Sequence, residues 1–208
     1  MKNTKDVILK TALYLFNTHG LAKITLRSIA KEMGISQGNL NYHFKKREDI
    51  IETLYFQLVK NIDDSISNTK KLESVLELVF NISKTIMYNF YEYRFFMLDF
   101  VQIMRENDTI KTHYLVLTTE REQEFAMLFE LLVEEGTMRK EILPNEYNNL
   151  YKRFQILGDF WISSAETKKQ PLTKESVPIY SELINQTIFP YLTTNGKKKY
   201  HSLIPSEL

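Results

Sequence analysis

The run Gly34–Arg47, GISQGNLNYHFKKR, decides how the chain is read. Apolar spacing on both sides of it promises helices. Its centre, however, holds Gly38 beside Asn39, with Asn41 close behind. Glycine and asparagine are weak helix formers, and glycine in a helix interior costs about 1 kcal/mol relative to alanine. Two readings account for the handicap. Either the segment is a loop, or another surface must approach this backbone more closely than a side chain allows.

Working outward, Ser36 is an N-cap candidate, and Leu40 and Phe44 form an i,i+4 apolar pair. Upstream, Thr25 offers a capping hydroxyl to LRSIAKEM, where Leu26, Ile29, Ala30 and Met33 recur at helical spacing, and Gly34 suits a left-handed helix end. Before that, residues 5–18 place Val7, Ile8, Leu9, Ala12, Leu13, Leu15 and Phe16 mostly on one face, with Gly20 as a stop. Downstream, periodicity resumes from Arg47 through Ile50, Ile51, Leu54, Tyr55, Leu58 and Ile62. Two short helices joined by a tight, glycine-containing turn are the pattern of a helix-turn-helix.

A helical wheel over residues 37–45, with Leu40 and Phe44 inward, puts Gly38, Asn41, Tyr42 and Lys45 on the outward arc. Gln37 and His43 flank the core edge and Asn39 lies on the rim. This face carries amides, a phenol and an ammonium around a bare glycine, with no carboxylate to repel phosphate. Gln and Asn can pair with the adenine edge in the major groove, and Ser, Tyr, His and Lys suit phosphate oxygens. A solvated polar face is the plain alternative. Just beyond, Lys46 and Arg47 open a helix whose dipole disfavours positive charge there. An exterior anion would resolve that conflict; so would surface pairing of Arg47 with Glu48 or Asp49.

Charge is divided along the chain. Residues 1–50 hold nine Lys/Arg against four acids, a balance of +5, so a chain of net +1 leaves −4 on the remainder. A basic head on a mildly acidic body fits a polyanion partner. The 208 residues suffice for one or two domains with a proper core. VILKTALYLF (7–16) is interrupted by Lys10 and lacks a small-residue cleavage site, so it reads as an amphipathic helix and not a signal peptide. No apolar run approaches the roughly 18 residues of a membrane span. The absence of cysteine removes disulfides and thiolate chemistry and is compatible with the cytoplasm.

The stretch ALYLFNTHGLAKITLRSIAKEMGISQGNLNYHFKKREDII (12–51) resembles the DNA-binding head of the TetR family of bacterial transcriptional regulators. Phe16, Gly20, Thr25, Ile29, Ala30, Gly34, Ser36, Gly38, Leu40, Tyr42, Phe44 and Glu48 carry the likeness over roughly residues 5–52. The resemblance implies an all-α protein of about nine helices. A three-helix DNA-binding domain (1–52) would precede a larger ligand-binding and dimerisation domain (53–208). It implies a homodimer on a pseudo-palindromic double-stranded DNA operator, acting as a repressor and released by a small apolar or aromatic effector. No cofactor or metal is expected. On the family pattern Thr25 and Arg27 touch the DNA backbone. Ser36, Gln37, Gly38, Asn39, Asn41, Tyr42 and His43 form the reading helix, and Lys46 and Arg47 sit at the phosphate-contacting start of the fourth. Asn41 departs from the family's usual aromatic residue, Lys46 from a small cap and Arg47 from a lysine.

The body is less informative. Apolar periodicity predicts helices near 47–66, 72–91, 93–105, 108–135, 145–166 and 174–192, with breaks at GTMRKEILPNE and TKKQPLT. Residues 80–100 hold eight aromatics, which can line a cavity or fill a core. Candidate effector contacts are Tyr88, Tyr91, Phe96, Asp99, Phe100 and Met104, joined by Phe125, Phe129, Phe154 and Trp161. Asp99 and Asp159 are carboxylates in apolar settings, each expected to pair with a nearby Tyr, Arg or Lys; the sharper reading makes one of them a counter-ion for a cationic ligand. The resemblance assigns the last two body helices to dimerisation, with Leu150, Leu157, Tyr180, Leu183, Ile184 and Ile188 as candidates. The terminal GKKKYHSLIPSEL reads as a mobile tail. Enzyme motifs are missing: there is no phosphate-binding glycine loop, no HExxH, and the four histidines are dispersed. A TetR-like protein answering to a protein partner is the alternative within the fold.

Overall fold

Three capping side chains set the first helix boundaries. Thr25 Oγ1 accepts the Ser28 N–H at 3.2 Å while Ser28 Oγ accepts the Thr25 N–H at 2.9 Å, a capping box with serine in the place of the usual glutamate. Gly34 takes φ 67°, the left-handed conformation that ends the preceding helix. Ser36 Oγ then accepts the Asn39 N–H at 3.2 Å and opens the next.

A computed structural model of the chain describes residues 4–67, 74–168 and 171–204. Eleven α-helices follow one another among them: α1 Thr4–His19, α2 Leu26–Glu32, α3 Gln37–His43, α4 Arg47–Ser67, α5 Val75–Glu92, α6 Arg94–Leu98, α7 Phe100–Glu106, α8 Asp108–Glu134, α9 Glu146–Glu166, α10 Val177–Asn185 and α11 Thr194–Leu203. The all-α expectation holds. The predicted start of a helix at 72 falls outside the described residues.

The head closes on Ile8, Ala12, Phe16, Ile29, Leu40, Phe44 and Ile50, all buried. Burying each of the Ile, Leu and Phe side chains among them contributes roughly 1.5–3 kcal/mol. α4 runs without interruption past residue 52, and its Leu54, Tyr55 and Leu58 are buried too. One helix therefore belongs to both the head and the body. α5 packs on α4 and α10, and α9 packs on α6 and α8.

Two features depart from the predicted nine helices. The segment 93–105 is divided at Asp99 (φ −102°, ψ 16°) into α6 and α7. The terminal segment read as a mobile tail instead forms α11. Its Tyr200 is 2% exposed, with edge-on ring contacts to Phe80 and Phe189, and its hydroxyl donates to Glu182 at 2.6 Å. Gly196 lies so close to the turn after α8 that a Cβ there would sit 2.0 Å from the Thr137 carbonyl oxygen. Thr193 binds the same turn, its N–H to Thr137 O at 3.0 Å and its hydroxyl to Gly136 O at 2.7 Å. The lysine run hid a docking face built from Gly196 and Tyr200, four residues apart. The last four residues of the expected tail lie outside the described residues.

Candidate nucleic-acid interface and effector region

α3 presents Gln37, Gly38, Asn39 and Tyr42 to solvent, with the capping Ser36 beside them, and Tyr42 is 81% exposed. Lys45 and Lys46 follow on the loop into α4, and Thr25 and Arg27 are exposed at the start of α2. His43 is half-buried, its ring edge-on to Tyr42 at 5.3 Å. Gly38 has an ordinary helical backbone, and the nearest atom to a Cβ placed there is Ser36 Oγ at 3.9 Å. Neither backbone conformation nor internal packing requires glycine at this position.

Two of the expected contacts are placed differently. Asn41 is half-buried, and its Oδ1 is buried with no hydrogen-bond partner. One residue past Leu40 on a helix is a rotation of about 100°, which puts Asn41 on the shoulder of the apolar stripe and not on the outward arc. Arg47 turns inward. Its Nη1 donates to Leu21 O at 3.2 Å and Ile24 O at 3.3 Å, and Nη2 pairs with Glu48 at 3.4 Å. Its charge at the start of α4 is thus met within the chain, by two carbonyls and a carboxylate. The Lys46 N–H is capped by Asp49 Oδ2 at 2.9 Å.

The head is tied to the body around α6. Asn17 Oδ1 accepts the Phe95 N–H at 3.0 Å while its Nδ2 donates to Glu92 O at 2.8 Å, bridging the break between α5 and α6. At the other end of α6, Asp99 lies close to the Leu21 backbone and to Arg47, both of which favour its charged form. Burial raises the Asp99 carboxyl above its ordinary value, and Leu21 and Arg47 partly oppose that shift. Composition gave no sign of Asn17; only the three-dimensional break in the α5–α6 backbone exposes its task.

The ten candidate effector residues do not converge on one place. Phe125, Phe129 and Phe154 stack with Tyr151 and Tyr147 at ring separations of 5.4–6.3 Å and fill the core between α8 and α9. Trp161 stacks on Tyr180 at 4.9 Å, its Nε1 buried without a partner. Tyr88 and Tyr91 are half-buried near the end of α5, under Lys174 and Arg94. Phe96 stacks on Tyr55 at 5.2 Å, and Met104 is half-buried on α7. Asp99 and Phe100 alone of the ten line a groove of about 330 Å³ between α6–α7 and α9. Met97, Leu98, Val101, Gln102, Arg105, Phe160 and Ser163 complete its walls.

Behind that groove Asp159 is 8% exposed on α9. Its Oδ2 accepts the Tyr114 hydroxyl at 2.6 Å, and Gln155 Nε2 donates to the same hydroxyl at 3.2 Å. Burial pushes the Asp159 carboxyl up to about 6, with the Tyr114 hydrogen bond opposing. Burial together with the adjacent carboxylate drives the Tyr114 phenol far above its ordinary range.

Of the six dimer candidates, Leu150, Ile184 and Ile188 lie in the monomer's own core, Leu157 and Tyr180 are half-buried, and Leu183 is 53% exposed. The exposed apolar side chains on these helices are Ile156 and Phe160 on α9 and Ile179 and Leu183 on α10. Each pair is spaced i,i+4, a second stripe that the sequence carries beside the core stripe. Among the described residues no group of His, Asp or Glu is placed to hold a metal, and no helix is long and apolar enough to cross a membrane.

Comparison with known proteins agrees with this arrangement. Residues 8–54 match the family model described as bacterial regulatory proteins, tetR family, and residues 57–200 match the TetR model described as bacterial transcriptional repressor. The probable HTH-type transcriptional regulator YttP of Bacillus subtilis (strain 168) is 27% identical over 148 residues, 68% of each chain. A TetR-family transcriptional regulator from Marinobacter aquaeolei VT8 superimposes with a TM-score of 0.85 at 22% identity, covering 97% of both chains. A putative transcriptional regulator from Saccharomonospora viridis, solved in complex with choline, gives 0.72 at 19% identity over 91% of this chain and 97% of its own. With family models matching both the head and most of the body, the chain belongs to the TetR family of bacterial transcriptional regulators.

Proposed function

We propose that the chain is a homodimeric repressor that binds a pseudo-palindromic operator with one α3 per half-site and leaves it when a small molecule enters the body. Gly38 carries the reading. Nothing inside the chain needs its missing side chain, and it stands at the centre of an exposed face of amides, a phenol and nearby lysines. Glycine there lets a backbone settle against a groove wall, and Gln37 and Asn39 beside it have base-edge chemistry. Tyr42, Thr25, Ser36, Lys45 and Lys46 suit phosphate. Asn41 reads a base only after its amide rotates out of the shoulder it occupies.

Release follows from the α6 connections. A ligand that favours one position of α6 against α9 biases the head through Asn17, which holds both sides of the α5–α6 break. It needs only different affinities for the two arrangements. The second copy is assigned to Ile156, Ile179 and Leu183, a patch of the kind that marks an interaction surface.

The test is a titration of the full chain against DNA from its own upstream region at several salt concentrations. Sequence-specific binding whose affinity falls steeply with salt is expected, because phosphate contacts release counterions. Binding without sequence preference, or affinity indifferent to salt, contradicts the reading. The observation favouring control by a protein partner is that the Phe125, Phe129 and Phe154 rings fill their core while the α9–α10 stripe stays exposed. A chain that stays monomeric in solution and on DNA would select that alternative.

A further inference from the structure

Buried carboxylates in this chain are treated in two ways. Glu146, 7% exposed, is met by both guanidinium nitrogens of Arg139 at 2.7 and 2.8 Å and by the Ile142 N–H at 2.9 Å. Arg139 holds it down to about 2. Asp159, equally buried, has one phenol on one oxygen. No lysine, arginine or histidine among the described residues pairs with it. A charge taken out of water without a counter-charge is unfavourable, and Asn would serve Tyr114 as an acceptor equally well.

The surroundings of Asp159 are aromatic. The Phe100 ring lies 5.1 Å from Tyr114 and 6.1 Å from Phe160, and Phe100 and Phe160 also wall the groove of about 330 Å³. Phe100 therefore touches both the open groove and the Tyr114 ring whose hydroxyl holds the buried carboxylate. The mouth carries one charge of each sign, Asp99 and Arg105. Aromatic faces and a desolvated carboxylate together attract a cation and discriminate against its neutral isostere.

We infer that Asp159, Tyr114, Phe100 and Phe160 form the seat of a small organic cation, an alkylammonium or quaternary ammonium compound, entered from the α6–α7/α9 groove by displacement of the Phe100 ring. The inference rests on the proposal that the body takes a small effector, and it names that effector's class. It also connects to the head, since Phe100 adjoins Asp99, which lies close to Leu21 and Arg47 of the head.

The experiment is calorimetric titration of the full chain, without DNA, with benzyltrimethylammonium and with benzyl alcohol at equal ionic strength. The cation is expected to bind one per chain and at least about tenfold more tightly than the alcohol. Asp159→Asn, which keeps an acceptor for Tyr114, is expected to abolish that preference while retaining a cooperative melting transition. Phe100→Leu is expected to weaken the cation severalfold and leave the alcohol nearly unchanged. Equal affinity for cation and alcohol, absence of cation binding, or an unchanged cation affinity in Asp159→Asn would each overturn the assignment. The wild-type comparison decides even if that variant does not fold. Operator binding intact with no cation preference refutes this inference alone. Cation binding intact with no specific operator binding refutes the repressor reading alone.

Discussion

At the scale of single residues, the informative positions are those whose chemistry is not explained by their surroundings. Asp159 is one. Burial pushes its carboxyl up to about 6 in the fold, against about 4 in an unfolded chain. Between those values the folded state binds the extra proton, so stability falls as pH rises through that window and the loss is complete above it. The difference corresponds to roughly 3 kcal/mol. Asp159→Asn is therefore expected to raise unfolding stability at pH 7.5 by about 2–3 kcal/mol and to change it little at pH 4, as read by denaturant titration. Equal effects at the two pH values would show that charge is not the cause.

Arg47 and Lys46 form a contrasting pair. Arg47 holds two carbonyls of the Leu21–Ile24 turn, so Arg47→Ala should lower head stability by about 1–2 kcal/mol. Lys46 is exposed, and Lys46→Ala should leave melting unchanged while reducing the salt dependence of operator binding by about one counterion. A stable Arg47→Ala protein with reduced salt dependence would contradict the inward role given to Arg47.

At the scale of elements, much of the fold was legible in the sequence. Thr25 and Ser36 announced the starts of α2 and α3, Gly34 the end of the segment between them, and the apolar spacing of α4, α5, α8 and α9 their extents. These signals are local: a hydroxyl three residues from a free N–H, or a 3.6-residue period. What was not legible depends on distant partners. The break at Asp99 lies beside Leu21 and Arg47 of the head, and α11 exists because Gly196 and Tyr200 fit against Thr137, Phe80 and Phe189. The candidate site divides in the same way. The exposed face of α3 follows from its own short wheel, whereas the inward turn of Arg47 and the isolation of Asp159 require knowledge of what packs alongside. Gly196→Ala tests the α11 account. A methyl group 2.0 Å from a carbonyl oxygen forces the helix off the turn, and a loss of about 2 kcal/mol or more in unfolding stability is expected. Little change would mean that α11 contributes nothing to the body. Asn17→Ala should leave operator affinity in the absence of effector within severalfold while weakening the effector's influence on it. Full effector response in that variant would remove Asn17 from the connection.

At the scale of the whole molecule, a head of +5 on a body of −4 directs one end of the chain toward a polyanion. The α9–α10 stripe leaves the other end with apolar surface to cover. Ile156→Glu with Leu183→Glu is expected to leave the chain monomeric in sedimentation analysis where the unaltered chain runs as the proposed dimer, with operator affinity reduced at least tenfold because two linked half-site contacts become one. A dimer that survives both charges would move the interface elsewhere.

The central claim is that α3 reads DNA through a backbone left bare at Gly38. The most direct measurement is the operator affinity of Gly38→Ala set beside its melting curve. Alanine fits the chain's own packing, so unfolding stability should stay equal or rise by up to about 1 kcal/mol, while specific operator affinity falls at least tenfold. Unchanged operator affinity in a protein of unchanged or greater stability would contradict the account.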